Sequence, residues 1–212
     1  FTRVGDTWAP SLSVQSQQIF GNNPQMPYDK FGISVAISGD TAFVGAPGED
    51  PDGNTGAGAV HIFTKSGTET EPSWVHTKKM SVSGDDQNIN YFNFGTSIAI
   101  SGETLIVGAV NGADTEEDSV ASGVAYIFVK YSDGTWPEHE TQILEPNDGE
   151  LDDQFGVSVA ISGYTAIVGA YSEDIVTSSD DNAGAAYIFT NTKENWTLGA
   201  GVVTKKLTAS DL

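Results

Sequence analysis

The stretch FGISVAISGDTAFVGAP, Phe31 to Pro47, returns as FGTSIAISGETLIVGAV from Phe94 and as FGVSVAISGYTAIVGAY from Phe155, starts that lie 63 and 61 residues apart. A repeat of this kind constrains the fold more than composition does, because each unit must bury its apolar surface against a copy of itself. A second landmark keeps the same register. GAVHIF at Gly58, GVAYIF at Gly123 and GAAYIF at Gly184 each precede a turn and a Trp, and Trp8, Trp74, Trp136 and Trp196 all hold that place. The closing residues Phe1, Phe63, Phe128 and Phe189 are 62, 65 and 61 apart, so four copies of this corner accompany three complete units. FTRVGDTW at Phe1 to Trp8 matches FTNTKENW at Phe189 to Trp196 end for end. The chain is therefore expected to start in mid-repeat and to be a segment of a longer protein.

Each full unit reads as four strands. In the first, Val35, Ile37, Ile98, Ile100, Val159 and Ile161 face one way, while Ser34, Ala36, Ser97, Ala99, Ser158 and Ala160 face the other. This period of two gives each strand one bulky face and one small face, so the large side chains of one sheet can fill the space above the small ones of the next. Gly39, Gly102 and Gly163 supply the positive φ of a tight hairpin. The second strand, TAFVGA, TLIVGA or TAIVGA, is apolar enough for a central strand covered on both faces. Gly45, Gly108 and Gly169 mark a bend or a close backbone approach. The third strand ends in Ile-Phe. A polar fourth strand led by the Trp forms the outer edge, where Lys78, Lys79, Lys205 and Lys206 discourage further pairing.

No segment carries sustained helical periodicity, so the expected class is all-β, a β-propeller of four-stranded antiparallel blades. The units divide the chain into a partial blade at 1–28 and blades at 29–91, 92–152 and 153–212. A propeller closes with about four to eight blades, so three and a fraction need more chain or a partner.

Twenty-nine acidic residues against nine basic ones give a formal charge of −20, which excludes nucleic-acid backbones and anionic lipid as natural partners and favours cations. Cysteine is absent, which rules out thiol catalysis, Cys-ligated zinc and disulfides. No apolar run reaches the roughly 18 residues needed to span a bilayer.

Phe31-Gly32 with Gly45-Ala46-Pro47, Phe94-Gly95 with Gly108-Ala109, and Phe155-Gly156 with Gly169-Ala170 resemble the motif of the FG-GAP repeat family, found in the β-propeller of integrin α subunits and in many secreted or surface proteins. Val110 and Tyr171 replace the proline in the second and third units. The resemblance spans nearly the whole chain. It implies a propeller of about seven blades, calcium in the loop after the GAP corner, and a role in adhesion or ligand binding.

The residues themselves offer oxygen ligands in that loop. In the first unit Asp50, Asp52 and Asn54 alternate, with Gly53 allowing a sharp turn. The second offers Asp114, Glu116 and Asp118, and the third Glu173, Asp174, Asp180, Asp181 and Asn182. Alternating carboxylates can wrap one hard cation, since Ca²⁺ takes six to eight oxygens, but solvated acidic loops have the same composition. The full acidic spacing of the family is intact in no unit. A second acidic group precedes the FG corners, at Asp85, Asp86, Asp148, Asp152, Asp153 and Asp211, with Asp29 and Asp153 two residues before Phe31 and Phe155. Turn capping explains such aspartates.

Catalysis finds no support. His61 aligns with Tyr126 and Tyr187, a strand position that carries an aromatic, and His76 and His139 fall on the variable outer strand. The Trp register points to blade packing ahead of sugar stacking. Asn195-Trp196-Thr197 fits an N-glycosylation acceptor. The resulting expectation is a non-enzymatic extracellular or cell-surface module for adhesion, recognition or scaffolding. Calcium would stiffen its loops, and its partner would be a protein or glycan at a loop rim or further copies of itself. A subunit of an extracellular filament or wall, and an accessory propeller or lectin domain of a secreted enzyme, are the alternatives.

Overall fold

The computed structural model describes residues 2–4, 7–9, 17–20, 28–51, 55–68, 72–82, 92–111, 122–174, 182–191, 196 and 202–209. Among them there is no α-helix. A short hairpin, β1 (Thr2–Val4) and β2 (Thr7–Ala9), pairs Arg3 opposite Trp8. Three antiparallel meanders follow. Blade 1 comprises β3 (Val35–Ser38), β4 (Thr41–Ala46), β5 (Ala59–Gly67) and β6 (Pro72–Met80). Blade 2 comprises β7 (Phe94–Ser101), β8 (Thr104–Ala109), β9 (Val124–Val129) and β10 (Gln142–Leu144). Blade 3 comprises β11 (Phe155–Ser162), β12 (Thr165–Ala170), β13 (Ala185–Asn191) and β14 (Val202–Thr208). The hairpin glycines have the positive φ their turns demand, 55° at Gly39, 60° at Gly102 and 56° at Gly163.

The fourth strand is the outer edge, as expected, but the Trp leads it only in blade 1. Trp136 and Trp196 sit in the segment before β10 and β14. In blade 2, Pro137 follows the Trp and cannot donate to a ladder, and the edge strand shrinks to three residues. Detached from a strand, the indole of Trp136 turns onto the preceding blade and meets Phe43 edge to face at 5.1 Å.

Two hydrophobic cores lie between blades. One joins Phe43, Val60, Ile62 and Met80 of blade 1 to Phe94, Leu105, Val107, Phe128 and Trp136 of blade 2, with Ile98 and Ile100 packed against it. The other joins Ile106, Ile127 and Leu144 of blade 2 to Phe155, Val168, Tyr187, Phe189 and Trp196 of blade 3, with Val159 and Ile161 against it. At about 1.5–3 kcal/mol per buried large side chain, these interfaces dominate the favourable energy of the array. Among the described residues the outer faces of blades 1 and 3 are open in part. Ile106 is fully buried, whereas its blade 3 counterpart Ile167 is 37% exposed; Val35 and Ile37 of blade 1 are 67% and 62% exposed.

The FG and GA halves of the repeat meet across these junctions. The carbonyls of Lys30, Asn93 and Gln154 accept from the amides three residues on at 3.1–3.2 Å, closing a four-residue turn around each Phe-Gly pair. The second central residue of this turn has φ of 93°, 96° and 90° at Gly32, Gly95 and Gly156, the geometry of a type II turn that glycine alone adopts freely. The turn drops each Phe into its own blade, where Phe94 packs on Tyr126 and Phe155 on Tyr187 with ring centroids 5.6 and 5.4 Å apart. It also turns the glycine carbonyl onto the blade before. Gly95 O accepts from Ser34 Oγ at 2.6 Å, and Gly156 O from Ser97 Oγ at 2.7 Å. Beneath these carbonyls lie Gly45 and Gly108, where any Cβ would overlap the Gly95 and Gly156 oxygens. The close approach expected of these glycines is thus an inter-blade contact.

Candidate functional site: the acidic rim

The acidic loops leave the sheet after β4 and β12, and one backbone pattern places them. Glu49 N donates to Ala46 O and Gly58 N to Glu49 O, both at 3.0 Å; Glu173 N and Gly184 N repeat these bonds to Ala170 O and Glu173 O at 3.4 and 2.9 Å. A Glu therefore stands at the base of each loop. Its successor is an Asp whose side chain closes the loop from inside: Asp50 Oδ1 accepts from Gly56 N at 2.6 Å, and Asp174 Oδ1 from Asn182 N at 2.8 Å. Of the expected ligands, Asp50 and Asp174 are loop clasps with one carboxylate oxygen engaged. Asp52, Asn54, Asp114, Glu116, Asp118, Asp180 and Asp181 lie outside the described residues, as does Asn195. Among the described residues no group of three or more acidic or imidazole side chains is arranged to hold a metal ion. The clasps nevertheless fit a hard cation in kind, since each keeps a second carboxylate oxygen in a loop whose sequence supplies further oxygen donors.

The glutamates point the other way, into the blade. Glu49 Oε2 lies 2.6 Å from His61 Nε2, and Glu49 Oε1 lies 3.1 Å from Lys79 Nζ. His61, fully buried, reaches His76 Nε2 through Nδ1 at 3.0 Å and meets the edge of Phe31. Burial works against the Glu49 carboxylate, but His61 and Lys79 hold it below the usual carboxylate range. Burial and the neighbouring His61 lower His76.

Blade 3 repeats the plan with different residues. Register sets Lys79 opposite His61 and Lys206 opposite Tyr187. Lys206 bridges Glu173 and Asp148, the latter at 2.8 Å, and its ammonium lies 5.5 Å from the Tyr187 ring centroid. Tyr187 donates to Asp148 Oδ1 at 2.8 Å. Burial opposes the Lys206 charge, yet Asp148 and Glu173 raise it; burial likewise opposes the Asp148 carboxylate, which Lys206 and Tyr187 hold low. In blade 2 the sequence places Gly112 where the glutamate would stand, and Ile143 lies opposite Tyr126.

Asp153 adds a buried acid beside Glu173. Its side chain accepts from Glu150 N, so it caps its turn as expected of the aspartates before the FG corner. Burial and the adjacent Glu173 push its carboxyl up to about 6. Glu173 Oε2 is buried beside it without a hydrogen-bond partner. Asp29, the blade 1 counterpart, is raised by burial and by Glu49 and Asp50.

Asp148 departs from the turn-capping expectation, because it ties the segment before blade 3 to that blade's outer strand. Lys79 and Lys206 likewise do more than guard an edge, since each neutralises a loop-base glutamate. Sequence reasoning missed Glu49 and Glu173 as network members. The signal available was an acid four residues after the GAP glycine, paired with a lysine on the fourth strand, in units one and three and absent from unit two.

Meandering four-stranded blades packed face to face and tied together by a turn glycine, with acidic loops on one rim, define a repeat β-propeller module. The FG-GAP repeat model matches residues 23–63, 83–128 and 139–189, about two thirds of the chain, and the chain belongs to the FG-GAP repeat family. Repeats of this family are β-propeller modules typical of extracellular or surface proteins and generally without catalytic function. No curated protein matches the chain.

Proposed function

We propose that the chain is a non-enzymatic extracellular or cell-surface propeller module for adhesion, recognition or scaffolding, whose acidic loops take calcium. The observation that carries this reading is the paired design of the loop base. Glutamates 49 and 173 are consumed by internal ion pairs, while Asp50 and Asp174 clasp loops whose sequence holds further acids. The loops thus gather negative charge beyond what the blade itself neutralises, and a divalent cation is its natural counterion. The blades supply a stiff frame, and loop sequence on one rim selects a protein or glycan partner. Melting the chain with calcium in excess and with a chelator tests the proposal: a lower transition in chelator supports it, and superimposable transitions overturn it.

A filament or wall subunit is the second reading. The exposed Val35 and Ile37 at one end and Ile167 at the other favour it, because they repeat the two halves of the interior junctions. Light scattering that finds monomers at all concentrations counts against it. For the third reading, an accessory or lectin domain of a secreted enzyme, silence on a glycan array and a hydrolase panel is the contrary result.

A further inference from the structure

Between blades 1 and 2 lies an open cleft of about 420 Å³, lined from β4, β5, β6 and the segment after β9 by residues that include Thr41, Thr64, Thr77, Thr135, Lys78 and Lys130. Among the described residues no Asp or Glu lines it; the nearest carboxylate, Asp133, accepts from the hydroxyl and the amide of Thr135 at 2.7 and 2.8 Å. In a chain with 29 acids and nine bases, this is a local reversal of sign. Lys78 is held in place by a 2.8 Å hydrogen bond from its Nζ to Trp136 O, and Lys130 Nζ stands 5.8 Å from the Trp136 ring centroid. Neither ammonium has an ion-pair partner among the described residues, in contrast to Lys65, Lys79 and Lys206. The indole N–H of Trp136 is buried without an acceptor.

Blade packing does not demand this chemistry. Between Ile62 and Phe63 the register of β5 and β6 shifts, so that Lys78 faces Ile62, His76 faces Phe63, and Thr77 is the extra residue. A bulge of this kind re-aims a side chain. Thr77 Oγ1 comes within 3.2 Å of both Thr64 Oγ1 and Ile62 O. The β13–β14 ladder runs without a shift. At the junction of blades 2 and 3, Gln142 stands for Lys78, Val129 for Thr64 and Asn191 for Lys130. Both charges and one hydroxyl are gone there, yet the blades pack.

We propose that this cleft binds an acidic sugar, a pyranose carrying one carboxylate or sulfate. The anion lies between Lys78 and Lys130, and the ring hydroxyls exchange hydrogen bonds with the threonines. Thr77 and Thr135 donate to Ile62 O and Asp133 Oδ1 and keep lone pairs that accept from sugar hydroxyls, while the other threonine hydroxyls can donate as well as accept. Charge-assisted bonds from two ammonium groups supply the affinity a neutral sugar would lack. The volume falls in the lower part of the range of about 300–1,000 Å³ for small-molecule sites. Ile62 gives the C–H face of the ring an apolar wall. The site is independent of calcium and of the loop rim.

Isotope-labelled chain titrated with methyl glucuronide and with glucose 6-sulfate, followed by NMR, tests the proposal. Methyl glucoside and inorganic sulfate are the controls. At least one acidic sugar is expected to shift the amides of Thr64, Thr77, Lys130 and Thr135 and the Trp136 indole N–H saturably, about tenfold or more tightly than either control; which one does so identifies the anion. The double substitution Thr64→Val with Lys130→Asn installs the second junction's residues, and should weaken binding about tenfold or more without moving the melting transition. Lys130→Gln alone serves if the double variant folds poorly. Equal affinity for methyl glucoside, equal affinity for inorganic sulfate, shifts located elsewhere, or full affinity in the variants would each overturn the assignment.

Discussion

Alanine at Gly108 and alanine at Gly169 are the same substitution at the same repeat position, and the structure separates their costs. A methyl group on Gly108 runs into the Gly156 carbonyl and Ser97 Oγ, the two partners of the inter-blade hydrogen bond. On Gly169 it meets chiefly the Ser158 hydroxyl, which can rotate, because among the described residues no following blade stands on that face. Neither glycine has a positive φ, so any backbone effect is shared and amounts to a gain of about 0.4–1 kcal/mol from the unfolded state. At Gly108 the displaced hydrogen bond costs about 1 kcal/mol, with a further penalty for the stranded carbonyl. Overpacking adds about 1–3 kcal/mol. The expected net loss is about 2–4 kcal/mol at Gly108, against less than about 1 kcal/mol at Gly169. For a chain of this length the first figure corresponds to a fall in Tm of roughly 5–15 °C. Urea unfolding followed by tryptophan fluorescence, with calorimetry alongside, measures both variants. Equal losses at the two positions, or a neutral Gly108→Ala, would refute the account of the FG and GA halves as an inter-blade contact.

Three further outcomes follow from the packing and the charges. The folded-state carboxyl of Asp153 titrates near 6, above the ordinary 3.8, so the native state holds its proton more tightly and stability falls as pH rises from about 4 through 6. Asp153→Asn should flatten the stability profile in that window and add roughly 2 kcal/mol at neutral pH, read from denaturant midpoints across pH. Lys206→Met leaves the buried Glu173 and its neighbour Asp148 without a cation, costing roughly 1–3 kcal/mol at neutral pH and progressively less in acid as the carboxylates protonate; a loss unchanged by acid contradicts the bridge. Phe43→Ala empties a fully buried position against Trp136 and should cost about 3–5 kcal/mol, while Ile167→Ala, at the equivalent but partly exposed position, costs much less.

The strand order, the hairpin glycines and the polar outer edge were legible in the sequence because each rests on a local pattern: a period of two, a turn residue, a run of apolar side chains. The repeat marked Gly45, Gly108 and Gly169 as a bend or a close backbone approach, and the approach is found at the first two. It could not disclose whose backbone, since Gly95 and Gly156 belong to the next unit and reach back through a turn whose geometry depends on φ at a single residue. The candidate site was less legible. Glu49 and Asp50, like Glu173 and Asp174, read as one acidic run, yet adjacent residues at the loop base face opposite ways, one into the blade and one around the loop. Composition records the charge of such a run, while the direction of each carboxylate is fixed by the bonds Glu49 N to Ala46 O and Glu173 N to Ala170 O. His61 shows the same limit. Its alignment with Tyr126 and Tyr187 correctly marked a packed aromatic position, but its link to Glu49 and His76 arises only when β5 and β6 pair.

The most direct test of a calcium-stiffened recognition module is the amount of calcium the chain retains at equilibrium dialysis. At least one bound ion per chain is expected, lost or weakened when Asp50 and Asp52 are both replaced by asparagine, with the blades still folded by circular dichroism. A wild-type chain that retains no calcium above the buffer concentration would contradict it.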